Sequence, residues 1–223
     1  MIDLKNKVVV ITGATSGFGA CLANDFVDKG SKVISLSKTD PENINPYITY
    51  TGCDITDKEK VFNEVKNIVE KFGTIDIFVN NAGIWFPHSS VEEQTKENIQ
   101  KMLEVNLFGT IYCIQAVLPL FKNKNYGYFL NIISVRALEG KVGSSGYGST
   151  KAAQNGFIMC LKEELKDTNI KVINAYPGAM KTNLFDGNKP EEFDSYMDPA
   201  EVSQKIISFF EEEKGDEIII KRN

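Results

Sequence analysis

The chain has 223 residues, of which 42% are hydrophobic and 25% are charged, and it carries a net charge of −5. This length suits one α/β domain with a sizeable core, so we expect residues 1–223 to form a single domain. An acidic chain is repelled by phosphate-rich surfaces, so we expect neither a nucleic acid nor a membrane as partner. The sequence shows no signal peptide and no apolar run of membrane-spanning length, which favours a cytoplasmic protein. Four widely spaced cysteines and a single histidine predict neither a disulfide nor a metal site.

Apolar, β-branched runs alternate with longer segments of helical periodicity along the chain. Runs that are apolar on both faces are typical of parallel strands covered by helices on both sides. The runs lie at 8–11, 33–34, 75–79, 129–133, 172–173 and 218–220, and a further strand is expected before Asp54. The pattern predicts an α/β fold with a doubly wound parallel sheet of about seven strands and helices on both faces.

One predicted helix has residues typical of a helix start and of a helix end. The stretch 57–72 places its apolar residues on one stripe at i+3 and i+4 spacings. Thr56, with Glu59 three residues later, predicts a capping box at its start. Gly73 predicts its end, because glycine readily adopts the left-handed conformation that stops a helix.

The C-terminal part of the chain contains a loop followed by a helix. Residues 185–198 are rich in Gly, Pro, Asn, Asp and Glu and predict a substrate loop near the end of the sixth strand. A helix over 199–210 is predicted to begin with Asp198 as N-cap and a proline at its first position.

A glycine-rich turn joins the first strand to the first helix. Glycines at positions 13, 17 and 19 let the backbone turn tightly and approach a pyrophosphate, while the start of the helix offers free N–H groups. A tight strand-to-helix turn without a ligand is the plainer alternative. We predict a dinucleotide cofactor that is bound here by Gly13, Thr15, Ser16, Gly17, Phe18 and Gly19.

Further motifs follow the glycine turn in order. They are Asn80-Asn81-Ala82-Gly83 after the fourth strand, Asn106, Ser134 at the end of the fifth strand, Tyr147 with Lys151 four residues later, and Pro177-Gly178 followed by Thr182. Together with the Gly-x-x-x-Gly-x-Gly spacing of the turn, this set resembles the short-chain dehydrogenase/reductase family in its short, single-domain form. The resemblance covers nearly the whole chain. It implies a Rossmann fold and a nicotinamide-dependent oxidoreductase that interconverts an alcohol and a carbonyl.

Tyr147 and Lys151 are four residues apart and share one face of a predicted helix. A lysine ammonium beside a phenol favours the phenolate, so we expect Lys151 to lower the pKa of Tyr147 toward neutrality. Tyr147 can then act as general acid and base, and Ser134 can hydrogen-bond the substrate oxygen. The resemblance implies that Lys151 also holds the nicotinamide ribose and that Asn106 anchors a water that resupplies the proton. An exposed helical pair without a catalytic role is the alternative for Tyr147 and Lys151.

The end of the second strand bears on the choice between NAD and NADP. NAD-specific proteins place an acid there to bind the ribose hydroxyls, whereas this chain has Ser37 and Lys38. A hydroxyl and a cation suit a 2′-phosphate, so we predict NADP as the cofactor and NAD as the less favoured alternative. In one departure from the family, Ser16 stands where many NADP-dependent members carry a basic residue.

The resemblance implies further cofactor contacts. Asp54 matches the position that contacts the adenine amino group, although an aspartate can equally cap the turn that follows. The remaining implied contacts are Ile55, Asn81, Ala82, Gly83, Tyr147, Lys151, Pro177, Gly178 and Thr182.

Side chains on the loops that follow the strands are candidates for the substrate pocket. They are Trp85, Phe86, His88, Arg136, Leu138, Val142, Met180, Phe185 and Tyr196. Because the set is mainly apolar and aromatic, we expect an apolar or aromatic carbonyl substrate. Trp85 and Phe86 can equally be packing residues. Arg136 either meets a substrate carboxylate or phosphate or is a surface charge.

Two other functions compete with the reductase hypothesis. One is a dinucleotide-binding regulator or scaffold without turnover, because a fold does not fix a function. The presence of Asn106, Ser134, Tyr147 and Lys151 argues against it. The other is dehydration or epimerisation, whose relatives usually have a larger C-terminal substrate region.

The resemblance also implies a homodimer or homotetramer in which the helices that carry Asn106 and Tyr147 pair across a two-fold axis. Four apolar residues on the second of these helices have suitable spacings for such an interface, or for the core of the monomer. They are Phe157, Ile158, Leu161 and Leu165.

Overall fold

Seven strands form one sheet in a computed structural model that describes residues 1–222. The strands are β1 (Val8–Thr12), β2 (Lys32–Ser37), β3 (Ile48–Gly52), β4 (Ile77–Asn80), β5 (Gly127–Ile132), β6 (Ile170–Pro177) and β7 (Glu217–Ile220). Their order in the sheet is β3-β2-β1-β4-β5-β6-β7, and each neighbouring pair is parallel. The predicted doubly wound parallel sheet is confirmed.

Six α-helices lie within residues 1–222. They are α1 (Gly17–Asp28), α2 (Lys58–Phe72), α3 (Lys96–Leu103), α4 (Thr110–Lys124), α5 (Ser145–Leu165) and α6 (Pro199–Glu211). On one face α1 packs against α6, and the rings of Phe26 and Phe210 meet edge to face at 6.3 Å between centroids. On the other face α2, α4 and α5 contribute Val65, Val117 and Ile158 to the core. Both faces of the sheet are thus buried, which explains why its central strands are apolar throughout.

The start of α2 differs by one residue from the prediction. Asp57, not Thr56, is its N-cap, because the Asp57 carboxylate accepts a hydrogen bond from the backbone N–H of Lys60 at 3.0 Å. The Thr56 hydroxyl instead donates to Asp54 at 2.8 Å, so it is no longer available to the helix. The predicted end is confirmed, since Gly73 adopts a φ of 80° after the last turn.

The predicted start of α6 is also confirmed. The Asp198 carboxylate accepts a hydrogen bond from the N–H of Ala200 at 2.7 Å, and Pro199 occupies the first helical position. The preceding segment 185–198 contains a short 3₁₀ turn at Phe193–Ser195. This segment approaches the strand ends through hydrogen bonds between the backbone of Met197 and that of Ala179 and Lys181.

A long helical segment runs from Lys96 to Lys124 and includes α3, a π-helical turn at Glu104–Gly109, and α4. By length and composition it could cross a membrane. However, its apolar residues Cys113, Val117 and Phe121 are buried in the core of this chain. A helix with one face in a protein core passes the same test of length and hydropathy, so this finding gives no evidence of a membrane segment.

Candidate active site

A deep cleft opens where the carboxyl ends of β1 and β4 meet. From β1 the sheet continues to β2 and β3, and from β4 it continues in the opposite direction. The loops after these two strands therefore diverge and leave a crevice, which is where open α/β sheets bind ligands. The cleft has a volume of about 1170 Å³. Typical small-ligand pockets hold roughly 300–1,000 Å³, so there is room for a dinucleotide and a substrate together.

Most of the predicted cofactor residues line this cleft. They are Gly13, Thr15, Ser16, Phe18, Gly19, Ser37, Lys38, Asp54, Ile55, Asn81, Ala82, Gly83, Tyr147, Lys151, Pro177, Gly178 and Thr182. Gly17 is the exception, since it packs beneath the loop after β6. A Cβ at Gly17 would lie 2.5 Å from Oδ1 of Asn183.

Close packing within the glycine turn requires glycine at two of its positions. Gly13 has a φ of +66°, and a Cβ on Gly19 would lie 2.2 Å from the carbonyl oxygen of Gly13. Both positions therefore require glycine whether or not a ligand is bound. The first turn of α1 has no acidic residue, and its N-cap Ser16 makes no side-chain hydrogen bond to the helix. Backbone N–H groups in a turn that carries no acidic residue of its own are a donor set that fits a dinucleotide diphosphate.

Asn81 holds the glycine turn against the end of β4. Its side-chain amide donates to the carbonyl oxygens of Thr12 at 2.8 Å and Gly13 at 3.1 Å. The Thr12 hydroxyl in turn accepts hydrogen bonds from the N–H groups of Asn81 and Ala82. The Asn-Asn-Ala-Gly segment thus fixes the relative position of the two strand ends that border the cleft.

The end of β2 places Ser37 and Lys38 in different environments. The Ser37 hydroxyl is buried and accepts a hydrogen bond from the N–H of Ala14 at 2.9 Å. The Lys38 ammonium lies 2.7 Å from Oδ2 of Asp54, and the lysine side chain is 74% exposed. Burial acts to raise the pKa of Asp54, but hydrogen bonds from Lys38 and Thr56 outweigh it and lower that pKa. Of the two residues predicted to meet a 2′-phosphate, Lys38 has the exposed side chain, whereas the Ser37 hydroxyl is buried and already accepts from Ala14.

Ser134 and Tyr147 come together at the end of β5. Ser134 opens a 3₁₀ turn at Val135–Ala137, and its hydroxyl accepts a hydrogen bond from the N–H of Arg136 at 3.1 Å. Tyr147 lies in the first turn of α5. Burial raises the pKa of Tyr147 to about 12, while the hydrogen bond with Ser134 and the positive charge of Arg136 act in the opposite direction.

Lys151 is the most deeply buried charged side chain of the cleft, with 3% of its surface exposed. Its Nζ donates to Oε1 of Gln154 at 2.9 Å and to the carbonyl oxygen of Ile132 at 3.4 Å. Burial lowers the pKa of Lys151 to about 7. The expectation that the pKa of Tyr147 lies near neutrality is wrong for this structure, because burial raises it. The ammonium is directed to Gln154 and Ile132, and the burial of the phenol dominates.

Asn106 lies in the π-helical turn beside the cleft and is fully buried. Its side chain accepts from the N–H of Ile84 at 2.8 Å and donates to the carbonyl oxygen of Ile84 and the hydroxyl of Thr150. A Cβ on Gly83 would lie 3.2 Å from Oδ1 of Asn106 and 3.7 Å from Nζ of Lys151. Asn106 therefore ties the loop after β4 to α5, close to Lys151. A π turn of this kind is frequent at functional sites.

The candidate substrate residues divide into two groups. Trp85, His88, Arg136, Met180, Phe185 and Tyr196 line the cleft. Phe86, Leu138 and Val142 do not line it, and Val142 is 95% exposed. The structure therefore does not bring these three residues into the cleft with the others.

An aromatic cluster forms one wall of the cleft. The ring of Phe185 lies 4.9 Å from that of Trp85 and 5.3 Å from that of Tyr196, measured between centroids. The Trp85 ring also meets His88 at 5.5 Å. Burial lowers the pKa of His88, and the positive charge of Lys141 adds to this effect. The cluster thus joins the loop after β4 to the segment 185–198 by apolar contact.

Two groups of polar residues were not found from the sequence. Thr110 and Gln154 form hydrogen bonds behind Lys151. At the mouth of the cleft, Lys141 pairs with Glu192 at 2.5 Å. The spacing of Gln154 three residues after Lys151 is a signal for the first group. The Lys141–Glu192 pair joins residues 51 positions apart, so no local pattern indicates it.

Known proteins resemble this chain in both sequence and structure. A family model described as short chain dehydrogenase matches residues 7–192. An uncharacterised oxidoreductase of Staphylococcus saprophyticus is 34% identical over 217 residues, which cover 93% of this chain and 92% of that protein. The structure of 3-ketoacyl-(acyl-carrier-protein) reductase from Brucella melitensis complexed with NADH has a TM-score of 0.88 and 25% identity, with 97% of each chain covered. The structure of ElxO with NADP bound has a TM-score of 0.85 and 28% identity, covering 96% of this chain and 97% of that chain.

These likenesses agree with the sheet order and with the motifs that meet in the cleft. The family model covers most of the chain, and the similar curated proteins are named oxidoreductases. They favour an enzyme over a dinucleotide-binding regulator without turnover. The chain therefore belongs to the short-chain dehydrogenase family and is a dehydrogenase or reductase that acts on CH–OH groups.

Proposed function

We propose that the chain reduces an apolar or aromatic carbonyl, reversibly, with NADP(H) as cofactor and Tyr147 as general acid and base. The observation that supports this proposal most directly is the meeting of Ser134, Tyr147 and Lys151 in the same cleft as the glycine turn. When bound in this cleft, a nicotinamide cofactor supplies or accepts the hydride. The protein's part is to bind the substrate, orient its oxygen and move one proton.

Tyr147 and Ser134 are the residues that address the substrate oxygen. Because burial raises the pKa of Tyr147 to about 12, the phenol is protonated at neutral pH, which is the form that donates a proton to a carbonyl oxygen. The Ser134 hydroxyl can hydrogen-bond the same oxygen and stabilise the negative charge that develops on it. The reverse reaction needs the phenolate. We propose that the positive charge of Lys151, four residues away on α5, favours the phenolate even though burial keeps the pKa of Tyr147 high.

Asn106 and Lys151 support that chemistry from behind. Lys151 lines the cleft and would hold the cofactor ribose there. Asn106 fixes the loop after β4 on one side and Thr150 on the other, so it keeps α5 in register with the cleft. The position of Asn106 near Lys151 also supports a role as the anchor of a water that resupplies the proton.

The cofactor preference rests on Lys38. Its ammonium is exposed at the end of β2, where an acid would bind ribose hydroxyls in an NAD-specific protein. Thr39 also lines this end of the cleft and contacts the Thr15 hydroxyl at 3.1 Å, so a second hydroxyl is at hand for a phosphate. Asp54 competes for Lys38, and a 2′-phosphate must displace that exposed ion pair, which costs about 1 kcal/mol or less.

The substrate class rests on the aromatic wall and on the segment 185–198, which we propose is the substrate loop. Trp85, Phe185 and Tyr196 line the same cleft as Tyr147 and form a connected set of aromatic rings there. Such a wall binds an apolar or aromatic group by excluding water from both surfaces. A substrate panel in which only small polar sugars react would contradict this class.

The assay that tests the central proposal follows NADPH or NADH absorbance at 340 nm across aldehydes, ketones and quinones. Tyr147→Phe should lose at least ~10²-fold in kcat, because the ring stays but the proton donor is removed. Tyr126→Phe is the matched control, since Tyr126 lies at the opposite end of the sheet beside Lys7. A Tyr147→Phe protein that turns over like the wild type would rule out the proposed role of Tyr147.

The cofactor proposal has its own test. Lys38→Ala should lower kcat/KM for NADPH by about tenfold while NADH changes little, because only the former presents a 2′-phosphate. Lys32→Ala, at the exposed start of β2, is the control. A wild-type protein with a clear preference for NADH would overturn the assignment.

We also propose that the protein is a homodimer or homotetramer of the cytoplasm. Ile158, Leu161 and Leu165 are buried in the core of the monomer, so the interface is expected elsewhere on these helices. Phe108 and Met159 are 39% and 55% exposed and are candidates for it. Sedimentation at micromolar concentration that gives only monomer would contradict the assembly.

A further inference from the structure

Gln154 is a buried polar residue to which the proposed chemistry assigns no role. It lies three residues after Lys151 on α5, and only 1% of its surface is exposed. Its Oε1 accepts a hydrogen bond from Nζ of Lys151 at 2.9 Å. A buried carboxamide is costly unless it is fully bonded, so its partners are expected to have a purpose.

Thr110 fixes which end of the carboxamide faces Lys151. The Thr110 hydroxyl donates its single proton to the carbonyl oxygen of Asn106 at 3.1 Å. It must therefore accept in its contact with Gln154, whose Nε2 lies 2.9 Å away. With Nε2 committed to Thr110, the oxygen Oε1 is the end that faces the lysine. The reverse orientation would set N–H donors against an ammonium.

Neutral acceptors alone surround the Lys151 ammonium. Within residues 1–222 Lys151 has no carboxylate partner at ion-pair distance, and its second hydrogen bond goes to the carbonyl oxygen of Ile132. Among the residues that line the cleft, the other titratable or charged side chains on the elements around Lys151 are His88 after β4, Glu104 in the π turn, Arg136 and Glu139 after β5, and Tyr147 on α5. Cys113 on α4 is buried behind them. Burial is the cause of the lowered pKa of Lys151. A hydrogen-bond acceptor beside Nζ therefore affects which fraction of Lys151 is protonated at neutral pH.

We propose that Gln154 is a positioning residue that holds Lys151 in its charged form and in a fixed place, through a carboxamide that Thr110 orients. The ammonium has three donors, of which Gln154 and Ile132 take two, so one remains for a group in the cleft. This inference rests on the proposed roles of Tyr147 and Lys151, because it explains how those roles are maintained in a buried site.

The first test titrates Lys151 directly in the cofactor-free protein by NMR of ¹³C-labelled lysine, with Lys151→Met to assign its signal. Gln154→Met keeps the length of the side chain but removes the acceptor, so the titration midpoint of Lys151 should fall by about one to two pH units. Gln154→Glu adds a negative charge in the same place, so the midpoint should rise. Gln204→Met, on the exposed face of α6, is the matched control and should leave the midpoint unchanged.

Opposite shifts in the two variants support the inference, since a residue that only packs would not move the midpoint in both directions. An unchanged midpoint in both variants, or a shift of the same sign in both, overturns it. If Gln154→Met does not fold, the titration midpoints of Lys151 in Gln154→Glu and Thr110→Val still test the inference. Thr110→Val releases the carboxamide and should lower the midpoint by less than Gln154→Met does.

A second readout separates this inference from the proposed function. In Gln154→Met the rising limb of kcat/KM for alcohol oxidation should move to higher pH, because less ammonium is present to favour the Tyr147 phenolate. If Tyr147→Phe keeps full turnover, the proposed function fails whatever Gln154 does. If Tyr147→Phe is inactive but neither readout responds to Gln154, only the role of Gln154 fails.

Discussion

The floor and the rim of the cleft hold their polar side chains in different ways. The floor consists of Lys151 and the residues behind it, Asn106, Thr110 and Gln154, all of which are buried and joined by hydrogen bonds without a carboxylate. The rim consists of Arg136, Glu139, Lys141, Glu192 and Lys221, which are more exposed and are joined by ion pairs. The cleft thus combines a floor of buried, hydrogen-bonded side chains with a rim of more exposed ion pairs.

The difference matters because desolvation acts on the two regions unequally. On the floor, burial lowers the pKa of Lys151 to about 7 and raises that of Tyr147 to about 12. On the rim, hydrogen bonds from lysine are the main cause of the lowered pKa values of Glu139 and Glu192, and water screens both. Changes on the floor should therefore alter rate and pH dependence, whereas changes on the rim should alter both only slightly.

The largest expected effect is that of Ser134→Ala. Removal of one preorganised donor to the substrate oxygen should lower kcat by about 10²–10³-fold. KM and the unfolding temperature should change little, because Ser134 lines the cleft and the substitution removes a single hydroxyl. Ser149→Ala is the matched control, since the Ser149 hydroxyl is on the exposed side of α5 and donates only to the carbonyl oxygen of Gly146. Equal activities of the two variants would contradict the role of Ser134.

The second effect concerns stability and comes from Lys151. Its pKa is about 7 in the folded chain and about 10.5 in the unfolded chain, so the unfolded state binds more protons between these values. The buried ammonium of Lys151 therefore destabilises the folded state in full below pH 7, and by less as the pH rises toward 10.5. Lys151→Met should therefore raise the free energy of unfolding by up to roughly 2–4 kcal/mol at pH 6.5, and by less at higher pH.

This effect is measured as the free energy of unfolding in urea from pH 6.5 to 9.5. The upper limit avoids Tyr147, whose raised pKa makes the folded state lose stability above about pH 10. The gap between Lys151→Met and the wild type should narrow as the pH rises. A gap that is constant over this range would mean that the Lys151 ammonium is not destabilised by burial.

The fold and the members of the site could be predicted because both depend on local patterns. Strands buried on both faces must be apolar throughout, as β1 is, and parallel strands present their carboxyl ends at one edge. Gly13, Ser134 and Thr182 each follow the end of a strand, so their meeting in one cleft follows from topology. Tyr147 and Lys151 share a helix face, which the four-residue spacing gives directly.

The protonation states and the rim could not be predicted, because they depend on contacts between distant parts of the chain. The spacing of Tyr147 and Lys151 suggested that the ammonium would serve the phenol. It gave no sign that Thr110, 44 positions from Gln154, would orient the carboxamide that accepts from Lys151. In the same way, threonine is a common N-cap residue, yet the Thr56 hydroxyl donates to Asp54. Asp57 therefore caps the helix by accepting a hydrogen bond from the N–H of Lys60.

A third, smaller effect is expected in the aromatic wall. Phe185→Ala removes a buried ring that contacts both Trp85 and Tyr196, so KM for an aromatic carbonyl should rise by about tenfold, while kcat falls less. Phe193→Ala is the matched control from the same segment, because the Phe193 ring contacts Phe185 but does not line the cleft. Identical KM values for the two variants would place the substrate elsewhere in the cleft.

The smallest effect is expected at the rim, where Lys141 and Glu192 join the loop after β5 to the segment 185–198. The two side chains are 39% and 47% exposed, so a double-mutant cycle should give a coupling free energy of about 1 kcal/mol or less. The coupling should shrink in 1 M salt, where the Debye length is about 3 Å. It should also shrink as the pH falls through the lowered pKa of Glu192, since protonation removes the negative charge that Lys141 attracts. Unfolding and KM measurements on Lys141→Ala, Glu192→Ala and the double variant would check this. A coupling of several kcal/mol that resists salt would show that the rim, like the floor, is shielded from water, and would remove the distinction between them.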